Sequence, residues 1–187
     1  MSKGNDNVLT MRNTGTFGKQ IVFRQRHGET IMSKPPKPTN IPLTADQIAV
    51  HDKFKAATNY AKAVNANEAL KAAYKAASKP GRTAYNTALA DFFKAPEIRE
   101  IDRSQYTGQP NSIIRIDAID NFRVASVNVI LLNQAGDILE QGEAVTDPNS
   151  HYWIYTAVNL NQDVAGSTVR VQAADLPGNL TTKDFVL

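Results

Sequence analysis

Ile113-Ile114-Arg115-Ile116-Asp117-Ala118-Ile119 alternates apolar with polar side chains, and so does the stretch 125–133, Ala-Ser-Val-Asn-Val-Ile-Leu-Leu-Asn. A period of two over this length is the signature of a half-buried β-strand. Similar runs follow at 138–145, 151–158, 169–174 and 180–186, and one precedes them at 98–103. Turn signals separate them, among them Gln134-Ala135-Gly136-Asp137 and Leu176-Pro177-Gly178-Asn179. Short strands at such spacing predict a β-sandwich over residues 97–187.

Upstream of Pro96 the period changes. Thr44 and Gln47 form a capping box, and behind it Val50, Phe54, Ala57, Ala61 and Val64 recur at steps of four and three, predicting a helix with a narrow apolar stripe. Asn65 with Glu68 offers the cap of a second helix, which carries Leu70, Ala73, Tyr74 and Ala77 and stops at Pro80-Gly81. A third runs from Thr83 through Leu89, Phe92 and Phe93 and ends before Pro96. Alanine faces pack closely but remove little area from water, at roughly 25 cal/mol per Å². Such helices need a further surface, from the strand-rich part or from another subunit.

Residues 1–16 are polar and without period, which predicts a flexible arm. Residues 17–33 predict a hairpin, with Ile21 and Phe23 alternating with Val22 and Arg24 and a turn at Arg26-His27-Gly28-Glu29. Two strands alone are marginal in water, so the hairpin is expected to lean on something else. Pro35-Pro36-Lys37-Pro38 and Pro42 predict a stiff, extended linker. The expected class is α+β and multidomain: arm, hairpin and linker over 1–43, three helices over 44–96, and a sandwich over 97–187.

Charge divides the chain at the same point. Residues 1–96 carry fifteen Lys/Arg against six Asp/Glu, and residues 97–187 carry six against twelve. A basic front and an acidic back suit binding of a polyanion, or docking of one copy on another. There is no cysteine, which excludes disulfides and thiolate metal sites. No apolar run is long enough for a secretory signal or a membrane span, so synthesis in the cytoplasm without a leader is expected.

Arg115-Ile116-Asp117-Ala118-Ile119-Asp120 is echoed by Arg170-Val171-Gln172-Ala173-Ala174-Asp175. Together with Val124-Ala125-Ser126-Val127, Trp153-Ile154-Tyr155 and the Ala-x-Asp-x-x-Gly-Asn ending at Asn179, these residues resemble the immunoglobulin-like modules of bacterial surface and phage structural proteins. The resemblance implies that strands 113–119 and 169–174 occupy facing sheets and end at one tip. It also implies a spacer, adhesion unit or assembly contact. The front resembles uncharacterised Bacteroidetes proteins with a Val-x-Arg segment before a proline linker, a likeness that implies no activity.

On that phasing Asp120, Asn121, Asp175 and Asn179 gather at the tip, where they either hold calcium through hard oxygen ligands or close turns by bonding backbone amides. Trp153 and Tyr155 are expected to face the core. Tyr152 and Ile154 then face outward, toward the helices, a glycan or a neighbouring subunit. No enzyme is expected. His27, His51 and His151 are scattered, no His-Glu-x-x-His, Gly-x-Ser-x-Gly or phosphate loop occurs, and Glu140 and Glu143 lie on opposite faces of a strand. No cofactor is expected either. Lys19, Arg24, Arg26, Lys34 and Lys37, interleaved with Phe17 and Phe23, offer a ribbon for nucleic acid or for an acidic neighbour. The reading that absorbs most of these features is a structural subunit, a homo-oligomer or part of a phage particle or similar bacterial assembly, with Phe17, Lys19, Ile21, Phe23, Arg24, Arg26, Tyr152 and Ile154 as its contacts. The alternative is a module that binds nucleic acid or carbohydrate.

Overall fold

The computed structural model describes Ser2–Lys3 and residues 12–37 and 42–187. The chain divides into two compact units, Met1–Ala45 and Asp46–Leu187. Among the described residues no helix is long and apolar enough to cross a membrane.

The first unit is a four-stranded antiparallel sheet of β1 (Ser2–Lys3), β2 (Gly15–Phe17), β3 (Ile21–Arg26) and β4 (Glu29–Ser33), in the order β1-β4-β3-β2. The hairpin expected over 17–33 is present as β3 and β4. Its turn rests on His27 and Gly28, with φ of 50° and 81°, the left-handed pair that matches strand twist in a two-residue connection. The expected flexible arm is corrected at two places: Ser2–Lys3 pairs with β4, and Gly15–Phe17 pairs with β3. Strands of two and three residues are too short to carry a readable period, so only pairing reveals them. Residues 4–11 of the arm and Pro38 of the linker lie outside the described residues.

Three helices follow, α1 (Ala45–Ala66), α2 (Glu68–Ala76) and α3 (Ala84–Phe92), which from Asp46 onward belong to the second unit. Thr83 caps α3, its side chain accepting from Asn86 N at 3.2 Å. The second helix is capped by Asn67 rather than Asn65: Asn67 has left helical geometry and its Oδ1 accepts from Leu70 N at 3.1 Å, whereas Asn65 lies within α1. The stripe of α1 is buried only at Ala57, Ala61 and Val64, while Val50 and Phe54 are exposed. A 22-residue helix is about 33 Å long and its nine-residue partners about 14 Å, so its first turns outrun them.

Eight strands follow: β5 (Glu97–Asp102), β6 (Ile113–Ile119), β7 (Val124–Leu132), β8 (Ile138–Glu143), β9 (Val145–Thr146), β10 (Trp153–Thr156), β11 (Thr168–Asp175) and β12 (Leu180–Val186). They form two antiparallel sheets, ordered β5-β6-β10-β9 and β12-β11-β7-β8. Between β8 and β9 the chain changes sheet, and Ala144 N still donates to Val127 O at 2.8 Å. Alternate residues of both sheets meet in one core: Ile114 and Ile116 of β6, Val127, Val129 and Leu131 of β7, and Val169, Val171 and Ala173 of β11. The fold is thus mixed α and β, mostly β, with β6 and β11 in different sheets.

The helices have a small core of their own, of Ala61, Val64, Tyr74, Ala84 and Ala88, and the loop residue Phe122 completes it. The rings of Tyr74 and Phe122 stack with centroids 3.8 Å apart. Asn179 Nδ2 donates to Phe92 O at 3.1 Å, and Thr181 Oγ1 to Pro96 O at 2.5 Å. The extra surface that the alanine faces need is supplied in part by the end of the sheets.

Candidate functional site

Three places carry the candidate residues. The first is the end of the sheets beneath the helices. Asp120 follows β6, and its Oδ2 accepts from Phe122 N and Arg123 N, both at 3.2 Å. Asp175 ends β11, its Oδ1 accepting from Gly178 N at 2.8 Å and Asn179 N at 2.6 Å, and its Oδ2 from Asn179 Nδ2 at 2.7 Å. These bonds close turns, as short carboxylate side chains do when amides lie two to four residues on. Asn121 is exposed. Of the four tip residues, the structure therefore ties Asp120, Asp175 and Asn179 into turns and leaves Asn121 at the surface. Among the described residues no group of three or more His, Asp or Glu is arranged to hold a metal.

Asp91 of α3 joins this end of the sheets, and the reading of the sequence missed it. It is completely buried, and its Oδ2 accepts from the Tyr74 hydroxyl at 2.6 Å. Tyr74 is 2.7 Å from the Tyr60 hydroxyl. Because the single Tyr74 proton goes to Asp91, Tyr60 must donate to Tyr74. Burial, and then its bond to the Asp91 carboxyl, push the Tyr74 hydroxyl far above its usual range. Burial chiefly, with the charges of Asp120 and Asp175, pushes Asp91 up to about 6, while the Tyr74 bond acts against the rise. A signal was present in the sequence: Ala84, Ala88 and Asp91 share one helix face, so the acid continues a buried stripe.

Beside this end lies a cleft of about 710 Å³ whose lining includes Ile119, Arg123, Val145, Trp153 and Leu176. Trp153 is partly buried against the core and Tyr155 is buried in it. Tyr152 and Ile154 are half-buried, and Tyr152 packs its ring against His151 with centroids 4.2 Å apart. Glu140 is buried rather than exposed on its strand. Its Oε2 accepts from Val158 N at 2.9 Å and Asn159 N at 2.6 Å, tying β8 to the loop after β10.

The third place is the N-terminal sheet. Cross-strand pairing sets Phe17 opposite Ile21 and Phe23 opposite Met32, so these four share one face. Arg24 and Arg26 occupy the other face with Ile31 and Glu29. The aromatics and arginines that interleave in sequence therefore lie on opposite faces of the sheet. Lys19, Lys34 and Lys37 instead come together around a recess of about 540 Å³ with Gln20, Pro35 and Pro36.

No family model matches the sequence, and no curated protein matches it. A solved crystal structure described as an engineered protein is similar at 14% identity, covering 58% of this chain and 28% of its own, with a TM-score of 0.33.

Proposed function

We propose that the chain is a non-enzymatic structural subunit that self-associates through its N-terminal arm and sheet, within a phage particle or similar bacterial assembly made in the cytoplasm. The observation that carries this reading is the apolar face of the N-terminal sheet. Phe17 is 74% exposed and Ile21 38%, and within β2, β3 and β4 only Thr30 is buried. A sheet face of this composition is stabilised by a second layer, and a second copy supplies one. The opposite signs of charge on residues 1–96 and 97–187 favour docking between copies.

Residues 97–187 are proposed to form an immunoglobulin-like β-sandwich and residues 44–96 a helical segment of their own. The support is the strand order, which corresponds to the A-B-E-D and G-F-C-C′ sheets of that fold, closed over one core. The separation of Phe17 and Phe23 from Arg24 and Arg26 weighs against the nucleic-acid reading. Light scattering on the full chain, at low salt and high concentration, should give a species larger than one chain, and Ile21→Ser with Phe23→Ser should return it to the monomer. A monomeric parent under those conditions would remove the proposal.

A further inference from the structure

We propose that Asp91 and Asp120 share one proton, and that this proton fastens the three helices to the end of the sheets, so that the joint loosens when it is lost. The argument begins with hydrogen-bond accounting. Asp91 Oδ1 and Asp120 Oδ1 are both buried and neither receives a donor. The partner oxygens are supplied: Asp91 Oδ2 by Tyr74, and Asp120 Oδ2 by Phe122 N and Arg123 N. Asp175, the third carboxylate of the joint, has three donors. Asp91 and Asp120 lie within hydrogen-bonding reach of one another. A single hydrogen placed between their two Oδ1 atoms cures both deficits and removes the repulsion between two neighbouring buried carboxylates.

The groups facing Asp91 come from every element around it. They are Tyr60 of α1, Tyr74 of α2, Asp120 of the β6–β7 loop and Asp175 of β11, with Arg123 near enough to act on Tyr60. None of these is a cation bonded to Asp91, so burial and the two acidic neighbours favour keeping the proton. A divalent cation would want six or more oxygens. Four of the six carboxylate oxygens here already accept hydrogen bonds, which leaves two. The dyad is closed to solvent at Asp91, so a structural role follows and not a catalytic one.

The direction of the pH effect follows from linkage. Asp91 in the folded chain sits at about 6, above its ordinary 3.8, so the folded state holds the proton more tightly. The stabilisation is complete below about pH 4 and is lost as pH rises through about 6. When the proton leaves to solvent, two buried carboxylates face each other across the α3–loop contact, beside the Tyr74–Phe122 stack that closes the helical core.

Denaturant unfolding of the full chain from pH 4.5 to 7.5 tests this. The folding equilibrium constant of the parent should fall roughly tenfold to a hundredfold over that range. In Asp91→Asn the amide donates to Asp120 Oδ1 at every pH, so most of that slope should vanish. Should that variant not fold, Asp120→Asn makes the same test from the other side, and carbon NMR of the parent should give an Asp91 carboxyl midpoint near 6. An Asp91 midpoint near 4 would overturn the proposal. So would an unchanged slope in the amide variants. Stabilisation of the parent at pH 7.5 by millimolar calcium would overturn it as well, since a metal and not a proton would then bridge the acids.

Discussion

The N-terminal sheet and the paired sheets of residues 97–187 are built from the same kind of strand and end in opposite states. In β3, Ile21 and Phe23 alternate with Val22 and Arg24. In β7, Val127, Val129 and Leu131 alternate with Asn128 and Ile130. Yet Val127 and Val129 are fully buried, while Ile21 is exposed and Phe23 only half-buried. The difference is a second layer. Alternation sorts side chains between two faces, and only a covering layer takes one face out of water. The paired sheets cover each other. Among the described residues of its own unit, the four-stranded sheet has one layer.

Hydrogen exchange should expose this contrast most strongly. Amides of β6, β7 and β11 are expected to exchange at least about a hundredfold more slowly than those of β3 and β4, because opening a strand in the shared core requires breaking that core. Equal protection in the two regions would mean that the N-terminal sheet gains a cover in solution and would sharpen the case for association. Next in size is Ile116→Ala, which empties a fully buried position between the sheets. It should cost about 3 to 4 kcal/mol by denaturant unfolding. Phe23→Ala, a larger truncation on the single layer, should cost less than half as much.

Gly108 gives a third measure of how tightly the paired sheets are held. Its φ is +79°, and a Cβ there would stand 2.4 Å from Val164 Cγ2 and 2.5 Å from Asn161 O. Asn161 N donates to Gly108 O at 2.8 Å, so the backbone cannot move away freely. Gly108→Ala should cost about 2 to 4 kcal/mol, from left-handed strain together with overpacking. At Gly136, also left-handed but with open space around it, the same change should cost only about 1 kcal/mol. Equal losses at both sites would show that strain alone, without close packing, sets the penalty.

The paired sheets were legible in the sequence because burial alternates residue by residue there. Over β11 every second residue from Val169 to Asp175 is buried, and the matching echo at 115–120 and 170–175 located the shared end of two strands. The start of the third helix at Thr83 was legible, and the structure adds that its hydroxyl caps α3 by accepting from Asn86 N. Asn65 and Asn67 were not separable, since both can cap and the choice depends on where α1 stops. Phe122, the ring that completes the helical core, stands in a loop with no period to mark it. Asp91 was hidden for a different reason. The third helix was read by its large residues Leu89, Phe92 and Phe93, whereas its buried face is Ala84, Thr87, Ala88 and Asp91. The approach of Asp91 to Asp120 depends on tertiary packing between residues far apart in the chain, which no local pattern encodes. The chemistry of the candidate site was therefore half read: the turn-closing pair Asp120 and Asp175 was found, and the acid that meets them, marked only by its place on a small-residue helix face, was passed over.

Thr30 tests the one buried point of that layer among the described residues. Its hydroxyl oxygen accepts from Arg12 N at 2.9 Å and from Gln25 Nε2 at 2.6 Å, linking β4 to β3 and to the segment before β2. Thr30→Val keeps the shape and removes the acceptor, leaving both donors without it. Local stability of the sheet, read from exchange of the β3 and β4 amides, should fall by about 1 to 2 kcal/mol. Unfolding of the second unit should not change, and a shift there would contradict the division of the chain at Ala45.

Phe17→Ser should have the smallest effect on folding and separates exposure by accident from exposure for a purpose. The ring is 74% exposed beside Ile21, so removing it takes little from the folded chain, and the change in stability should stay within about 0.5 kcal/mol. If the apolar face is only tolerated in water, association is unaffected and the variant behaves like its parent in light scattering at every concentration. If the face is an interface between copies, removing an aromatic ring from its β2 edge should weaken self-association by about tenfold or more, the scale on which buried aromatic anchors act. The two measurements together are decisive because they move independently: a core residue lowers stability, a solvated residue changes neither quantity, and only an interface residue lowers association while leaving the single chain as stable as before.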